Sequence, residues 1–503
     1  MDNKENGAFC SGSAVKLDTS FGHEGGGDFS LPDYLPEIQR LLAVRVSVLP
    51  ETKFLSGNVL EAGGTLSYDV IYSDVDGKMA SASLVTDYSA DTALSQNIEN
   101  VGELFITTEA ENSTCRVTSP RGLNIKTRMR TRVCADEPVI TDAAFARRDG
   151  KRASDAESLS VERLTYPATS SSRSRAMTTG NITGEISAKE NDRVMTCRAA
   201  LSVNDAAAAD GAVRVSGEVY LCCIFDGENG LSVKNAKYPF DATVPVSGCE
   251  PSCNARAWGR AASVSVTPAE AGGGAFSVNV EYDIEAECIC KVEMNVCSDV
   301  YSTEYECSGE MRECELVSPS LFGMAKAGIG AVCDLPSEDK GELFDVVPIM
   351  SSVQFVSTPE GSSISGSVKI KALFAGDEVS ACEFDIPVKY MLDKPIDPEV
   401  QSFINCSVLS LSGKVSSGKL DVTGEVSLSW NVSCKKKVRY VTSVSLGEEC
   451  EGVSPLTLKV YYPHSDESLW SVCKKYRADM SRVIRANPDI GDTVIKGTPI
   501  IIC

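Results

Sequence analysis

The fold of this chain is decided by the stretch Gly64-Thr65-Leu66-Ser67-Tyr68-Asp69-Val70-Ile71-Tyr72, in which apolar and polar residues alternate. The pattern returns as Gly217-Glu218-Val219-Tyr220-Leu221-Cys222-Cys223-Ile224-Phe225 and as Gly366-Ser367-Val368-Lys369-Ile370-Lys371-Ala372-Leu373-Phe374. The leading glycines are 153 (217 − 64) and 149 (366 − 217) residues apart. Recurrence at a nearly constant period indicates a chain built from repeated units of about 150 residues.

Each copy has the pattern of a half-buried β-strand. Alternate residues from Leu66 to Tyr72 point to one face, because successive side chains of a strand project to opposite sides. We interpret the leading glycines as structural, since a glycine inside a strand marks a bulge or a close approach of another backbone. They are Gly64, Gly217 and Gly366.

A second set of strands follows in each unit. Residues 123–133, 276–284 and 420–432 alternate in the same way, and turn dipeptides such as Asp76-Gly77 and Asp226-Gly227 separate the strands. Long helical periodicity is missing from this part of the sequence. We therefore predict a mainly β protein made of tandem antiparallel β-sandwich-like or open-barrel domains.

The changes in composition divide the chain into six segments. We predict a flexible leader at 1–28, a first β-repeat at 29–144, a Ser-rich linker at 145–190, a second β-repeat at 191–335, a third at 336–450, and a separate C-terminal module at 456–503. The leader is polar and Gly-rich. The linker is poor in large apolar residues, which is typical of a flexible spacer, although a long ordered loop is the alternative.

Charge and cysteine content restrict the class of function. The net charge of −22 argues against nucleic acid and against anionic lipid, both of which require a basic surface. Residues 1–13 lack the apolar core of a signal peptide, and no stretch approaches the roughly 18 apolar residues of a membrane span, so we expect neither secretion nor membrane insertion. Twenty cysteines, many in strand-like runs, then indicate free, mostly buried thiols in a reducing, cytoplasmic compartment.

The C-terminal module has a different pattern. Residues 458–461 read as a short strand, and Ser468 is a candidate N-cap for a helix whose inner face carries Leu469, Val472, Cys473 and Tyr476. Asp479 can cap a second helix, which Asn487-Pro488 ends. A closing strand follows at 498–502. The module is therefore predicted to be a small α+β (βααβ) domain.

This module resembles the LysM family. The resemblance is carried by Asp466-Glu467-Ser468-Leu469-Trp470, Ala486-Asn487-Pro488-Asp489-Ile490 and Lys496-Gly497-Thr498-Pro499-Ile500-Ile501-Ile502, with Asp466 in the place of the family's glycine. It implies a groove for N-acetylglucosamine polymers such as peptidoglycan, or for a protein partner. The implied binding residues are Asp466, Glu467, Ser468, Leu469, Asn487, Pro488, Asp489 and Ile490. Trp470 and Tyr476 are interpreted as structural, with Trp470 in the module's core rather than stacked on a sugar.

The preceding repeats resemble the SPOCS family of spore-forming bacteria. The resemblance rests on the leader Leu31-Pro32-Asp33-Tyr34-Leu35-Pro36-Glu37-Ile38 and on the three glycine-led strands. SPOCS repeats followed by LysM imply a spore-coat morphogenesis protein of the mother cell, located at the forespore surface. The implied partner is the coat basement-layer protein, a SpoIVA-like ATPase, bound through the LysM module; peptidoglycan binding is the alternative.

Residue patterns of catalysis and cofactor binding are not recognised. The two histidines, His23 and His464, lie outside any catalytic motif, and no phosphate-binding loop occurs. Cys249-x3-Cys253 and Cys288-x-Cys290 could suggest a metal, but we interpret these cysteines as core residues. We therefore expect a non-enzymatic protein with no catalytic residues, no cofactor and no metal site.

Overall fold

The structure, a computed structural model, describes the chain except for several short segments. The described residues are 12–49, 52–94, 104–139, 144–145, 147–148, 151–152, 159–169, 174–189, 191–228, 230–269, 274–336, 341–393, 400–450 and 459–502. These residues form 28 strands and two short helices, and almost all strand pairs are antiparallel. The predicted mainly β, antiparallel class is confirmed.

Residues 12–139 form a two-sheet sandwich, here called unit 1. Its strands are β1 (Gly12–Ser30), β2 (Arg40–Val48), β3 (Thr52–Ser56), β4 (Val59–Ser73), β5 (Met79–Ala93), β6 (Leu104–Ser119) and β7 (Gly122–Val139). One sheet has the order β2-β4-β5, with β3 beside the start of β4, and the other has the order β1-β7-β6. The first strand therefore pairs with the last, from Gly12 opposite Val139 to Ser30 opposite Gly122.

Residues 159–302 form unit 2 with the same order of pairing. After the short strands β8 (Ala144–Phe145), β9 (Arg147–Arg148) and β10 (Lys151–Arg152) come β11 (Leu159–Thr169), β12 (Ser174–Ser187), β13 (Arg193–Ala209), β14 (Ala212–Gly227), β15 (Gly230–Pro245), β16 (Asn254–Pro268), β17 (Ala275–Ile289) and β18 (Lys291–Ser302). The sheets are β13-β14-β15 and β12-β17-β16, and β11 pairs with β18 as a two-stranded ribbon.

Residues 305–449 form unit 3. Its strands are β19 (Tyr305–Asp334), β20 (Glu342–Thr358), β21 (Gly361–Ala375), β22 (Ser380–Met391), β23 (Val400–Ser416) and β24 (Lys419–Glu449). They form the sheet β20-β21-β22 and the series β23-β24-β19, which meets β1 of unit 1 at Ala14 opposite Leu316. Strand β19 takes the place of β11 and β12 of unit 2, and strand β24 takes the place of β17 and β18.

The glycine-led strands β4, β14 and β21 each lie between two neighbouring strands, at the centre of their sheets. At Gly217 and Gly366 a Cβ atom would collide with the carbonyl oxygens of Ser202 and Ser352 on the neighbouring strand, and at Gly64 it would meet the Tyr88 ring. This close approach explains a glycine at these positions.

The last two residues of each copy have different environments. The closing aromatics Tyr72, Phe225 and Phe374 are each buried in the core of their own unit. The preceding residues Ile71, Ile224 and Leu373 project to the opposite face and meet in one cluster that all three units share. Because successive residues of a strand point to opposite faces, one dipeptide fills a unit's core and also joins that unit to the others.

The predicted flexible segments are wrong where the structure describes them. Residues 12–28 belong to β1, and residues 159–169 and 174–187 of the predicted linker form β11 and β12. The paired residues of these strands are between 88 (275 − 187) and 143 (302 − 159) positions apart in the chain, so local composition carries no sign of the pairing. The segment Gly25–Gly27 fits into strand β1 because Gly25 has no side chain; a Cβ atom there would collide with the side chains of Met129 and Leu66.

The predicted unit boundaries are wrong for the same reason. Each unit begins one long strand earlier than expected: at Gly12 rather than 29, at Leu159 rather than 191, and at Tyr305 rather than 336. Residues 1–11 of the predicted leader lie outside the described residues, as do 146, 149–150, 153–158, 170–173 and 190 of the predicted linker.

The predicted free thiols are wrong at one pair. Cys253 and Cys290 form a disulfide, whereas the other described cysteines are free. Cys253 follows a loop, and Cys290 lies between β17 and β18, so the bond joins segments that are 37 residues apart.

Residues 459–502 form a separate small module. Its elements are β25 (Lys459–Tyr461), β26 (Glu467–Ser468), α1 (Leu469–Tyr476), α2 (Met480–Ala486), β27 (Thr493–Val494) and β28 (Ile500–Ile502). β25 pairs with β28, and β26 pairs with β27. The strand β25, the two helices and the closing strand β28 occur in the predicted order, and the short pair β26–β27 was not predicted.

Candidate binding surface of the C-terminal module

The two helices of the module begin where capping side chains are available. Ser468 has an extended backbone, and its Oγ accepts the backbone N–H of Ser471 at 3.1 Å. Asp479 similarly accepts the N–H groups of Ser481 at 2.8 Å and Arg482 at 3.3 Å. Each cap satisfies a backbone donor that has no partner inside the helix. Ser468 therefore has the capping role that its position indicates.

The segment before α1 is held against the segment after α2. The Leu469 N–H donates to the Asp492 carbonyl at 2.8 Å, and the Lys496 N–H donates to Asp466 Oδ1 at 2.8 Å. The pairing of β26 with β27 lies between these two bonds. The structure thus brings together the two segments that contain the predicted binding residues. We call residues 462–468 and 488–496 the loop surface of the module.

Four of the eight predicted binding residues are exposed on this surface, namely Asp466, Ser468, Pro488 and Asp489. Glu467 is half-buried, and its Oε1 accepts the Tyr461 hydroxyl at 2.7 Å. Ile490 is also half-buried and packs against the module's core. Exposed groups are available to a partner, whereas the half-buried pair helps to fix the loops.

Two predicted binding residues have structural roles instead. Leu469 is 1% exposed and lies in the core with Val472 and Val483, so it cannot contact a ligand. The Asn487 amide is occupied by the module's own backbone. It donates to the carbonyls of Val483 at 2.7 Å and Ile501 at 2.8 Å, and it accepts the Ile501 N–H at 2.9 Å. Asn487 joins the end of α2 to β28.

Two exposed apolar residues of the loop surface were missed from the sequence. Ile495 is 65% exposed and precedes Lys496, and Tyr462 is 57% exposed and precedes Pro463, whose carbonyl accepts the Gly497 N–H. Large apolar side chains in otherwise polar loops were the available signal. Together with Asp466 they give the surface apolar and acidic character.

The opposite side of α1 is covered by unit 2. Trp470 Nε1 donates to Asp299 Oδ2 at 2.9 Å, and Lys474 Nζ lies 2.6 Å from Asp299 Oδ1. The Tyr301 ring meets the Trp470 ring edge-on, with centroids 4.9 Å apart, and its hydroxyl donates to the Ala478 carbonyl at 2.8 Å. Trp470 is half-buried and is therefore an inter-domain contact as well as a neighbour of the core. Tyr476 packs on the core, with its ring 5.1 Å from that of Tyr461.

The contact with α1 lowers the pKa of the Asp299 carboxyl. Burial raises its pKa, but hydrogen bonds from Lys474 and Trp470 lower it by more, so its pKa lies below the usual value. The carboxylate is therefore charged at neutral pH and can hold both donors of α1.

The two histidines occupy unrelated places. His23 lies on β1, where its Nε2 is 2.8 Å from Thr131 Oγ1 and burial lowers its pKa. His464 is exposed in the loop before β26. His464 is part of the loop surface by position, but neither histidine takes part in the contacts described above.

No family model, no curated protein and no solved structure matches the chain. Within the described residues, neither helix has the length and apolar character needed to cross a membrane.

Proposed function

We propose that this chain is a non-enzymatic scaffold of spore-coat assembly whose C-terminal LysM-like module docks on a SpoIVA-like ATPase at the forespore surface. The resemblance to SPOCS repeats and LysM supports the proposal. Leu31 and Ile38 of the SPOCS-like leader are buried in the core of unit 1, and the Tyr72 hydroxyl donates to the Pro36 carbonyl. The segment 31–38 is therefore a structural part of the first repeat, as a family feature would be.

The chemistry of the loop surface is the observation that carries the proposal. Ile495 and Tyr462 are exposed beside Asp466, and the Asn487 amide is fully used within the module. Exposed aliphatic side chains near a charged group suit a protein interface, where apolar residues bury surface and polar residues fix orientation. A sugar polymer instead needs free hydrogen-bonding groups for its hydroxyls and amides.

A mother-cell location is part of the proposal. Apart from Cys253 and Cys290, the described cysteines are free, and several are buried in the cores, including Cys134, Cys223 and Cys382. Free thiols suit a reducing cytoplasm. At the forespore surface, three joined units would serve as the body that presents the module to its partner.

Peptidoglycan binding is the second candidate function. The exposed Tyr462 ring favours it, because an aromatic face can stack on a sugar ring. The two candidates make different use of the loop surface. A protein interface depends on Ile495, whereas sugar stacking depends on Tyr462.

The test is binding of the full chain to two ligands, the purified SpoIVA-like ATPase of the host and purified peptidoglycan. The full chain is needed because Trp470 is covered by unit 2 and would be exposed in the isolated module. We expect binding to the ATPase and at least a tenfold weaker affinity for Ile495→Asp, since a buried carboxylate without a partner opposes association.

The matched control is Val85→Asp, which places the same charge at a residue of β5 with 60% exposure. It is expected to leave ATPase binding unchanged. Binding to peptidoglycan alone, with loss in Tyr462→Ala, would replace the scaffold proposal with the glycan-binding one. Binding to neither ligand would refute both.

A further inference from the structure

Four cysteines of unit 2 lie together at one end of its sandwich. The sulfur atoms of Cys253, Cys288 and Cys290 all lie within 4.8 Å of one another. Cys249 lies in the same buried cluster as Cys253 and Cys288 and joins the group. Cys249, Cys253 and Cys288 are buried, whereas Cys290 is half-buried and gives the group a side that solvent can reach.

Two rigid segments position these sulfur atoms. The loop from Val246 to Cys253 joins β15 to β16 and is folded by its own bonds: the Cys249 N–H donates to Val246 at 3.3 Å, and the Cys253 N–H donates to Glu250 at 2.9 Å. Cys288 ends the central strand β17, and Cys290 follows it two residues later. Their sulfur atoms both lie within 4.8 Å of the sulfur of Cys253 at the end of the loop, so both side chains point towards the loop.

This arrangement has the composition of a structural zinc site. Such sites use four Cys or His ligands in a tetrahedron, with Zn–S distances of about 2.3 Å and therefore sulfur atoms about 3.8 Å apart. The paired spacing Cys-x3-Cys and Cys-x-Cys from two segments supplies four thiols.

We propose that Cys249, Cys253, Cys288 and Cys290 bind one Zn²⁺ as a tetrathiolate when they are reduced. Four thiols and one Zn²⁺ give the complex and release four protons. From the disulfide form, a cellular dithiol first supplies two electrons and two protons, which convert the Cys253–Cys290 bond into two thiols while the dithiol becomes a disulfide. Bound zinc and the Cys253–Cys290 disulfide are therefore alternative cross-links at the same end of unit 2.

The repeated fold itself does not require these cysteines. The loops that join the corresponding strands of units 1 and 3 contain residues 94–103 and 392–399, and neither sequence has a cysteine. The inference is independent of the proposed scaffold function, because it concerns unit 2 and not the C-terminal module.

The test uses the full chain, purified under reducing conditions without chelator and supplied with Zn²⁺. We expect one zinc per chain by mass spectrometry of the metal. Replacement by Co²⁺ should give the thiolate-to-cobalt charge-transfer band and the intense visible bands of a tetrahedral sulfur site. A reduced chain that takes up neither metal, or a cobalt spectrum without thiolate ligation, overturns the proposal.

Substitutions then locate the metal. Cys249→Ser and Cys288→Ser should each lose it, whereas Cys382→Ser, a buried cysteine in the core of unit 3, should retain it. Retention of a full equivalent in both ligand variants would place the metal elsewhere and contradict the assignment. The cobalt spectrum of the unaltered chain decides the question even where a variant fails to fold.

Discussion

Trp470 Nε1 donates a hydrogen bond to Asp299 Oδ2 at 2.9 Å, and this bond ties the C-terminal module to the ribbon of unit 2. The two residues are 171 positions apart in the chain. The bond gives the half-buried Trp470 a function besides packing, because it fixes α1 against β18 and leaves the loop surface free.

This contact predicts a measurable coupling between the two residues. Trp470→Phe keeps an aromatic ring but removes the donor, and Asp299→Asn removes the charge. In a double-mutant cycle we expect a coupling free energy of about 1–2 kcal/mol for unfolding of the module, as for a hydrogen bond to a charged group that solvent partly reaches. Hydrogen exchange of the α1 amides measures it. Strictly additive single effects would show that the bond contributes nothing.

The contact should also depend on pH in one direction. Because the folded pKa of Asp299 lies below its usual value of 3.8, its contribution to stability is present above that value. The contribution is lost as the pH falls through the folded pKa. We expect the NMR shift of the Trp470 indole proton to be constant from pH 7 to about 4 and to titrate only below 3.8. A midpoint above 3.8 would contradict the lowered pKa.

Asn487 should be important for stability rather than for binding. Asn487→Ala leaves the Ile501 N–H and two carbonyls without their present partner, so we expect the module to lose about 2–4 kcal/mol of unfolding free energy. The control is Asp489→Ala, a change at an exposed neighbour, with an expected effect below about 0.5 kcal/mol. Amide hydrogen exchange of the module, measured at increasing temperature, compares the unfolding free energies of the two variants. Equal, small effects would return Asn487 to the list of candidate ligand contacts.

The protein should be strongly destabilised by the loss of either partner of the buried ion pair between Arg256 and Glu287. Both side chains are fully buried, Arg256 Nε lies 2.6 Å from Glu287 Oε2, and Arg256 also reaches the Phe403 carbonyl of unit 3 at 3.4 Å. Arg256→Met removes the guanidinium that lies beside the fully buried Glu287 carboxylate, and we expect a loss of about 3–5 kcal/mol of unfolding free energy in urea.

Two further variants test the cause of this loss. Arg256→Met combined with Glu287→Gln should lose less unfolding free energy than Arg256→Met alone, because the buried negative charge is removed as well. Lys369→Met breaks the partly exposed pair with Glu383 and should cost less than about 1 kcal/mol. A double variant as unstable as the single one would show that packing, not charge, explains the effect.

Local pattern determined much of the fold. Alternation identified the central strands β4, β14 and β21, because the side-chain period of a strand is written directly into neighbouring residues. Ser468 and Asp479 marked the starts of α1 and α2 for a similar reason, since a helix cap acts within three residues. Four exposed residues of the candidate surface, Asp466, Ser468, Pro488 and Asp489, were also named from the sequence, whereas the exposed Tyr462 and Ile495 were missed.

Only the tertiary structure decided which distant segments meet. β1 looked like a flexible leader because its partner β7 begins about 90 residues after β1 ends, and the pairing gives its polar, Gly-rich sequence a place in a sheet. The same holds for the four cysteines of unit 2 and for Trp470 with Asp299. The sequence by itself determined the local conformation, whose causes lie within a few residues. Burial, pairing and neighbourhood depend on contacts between residues far apart, and these exist only once the chain has folded.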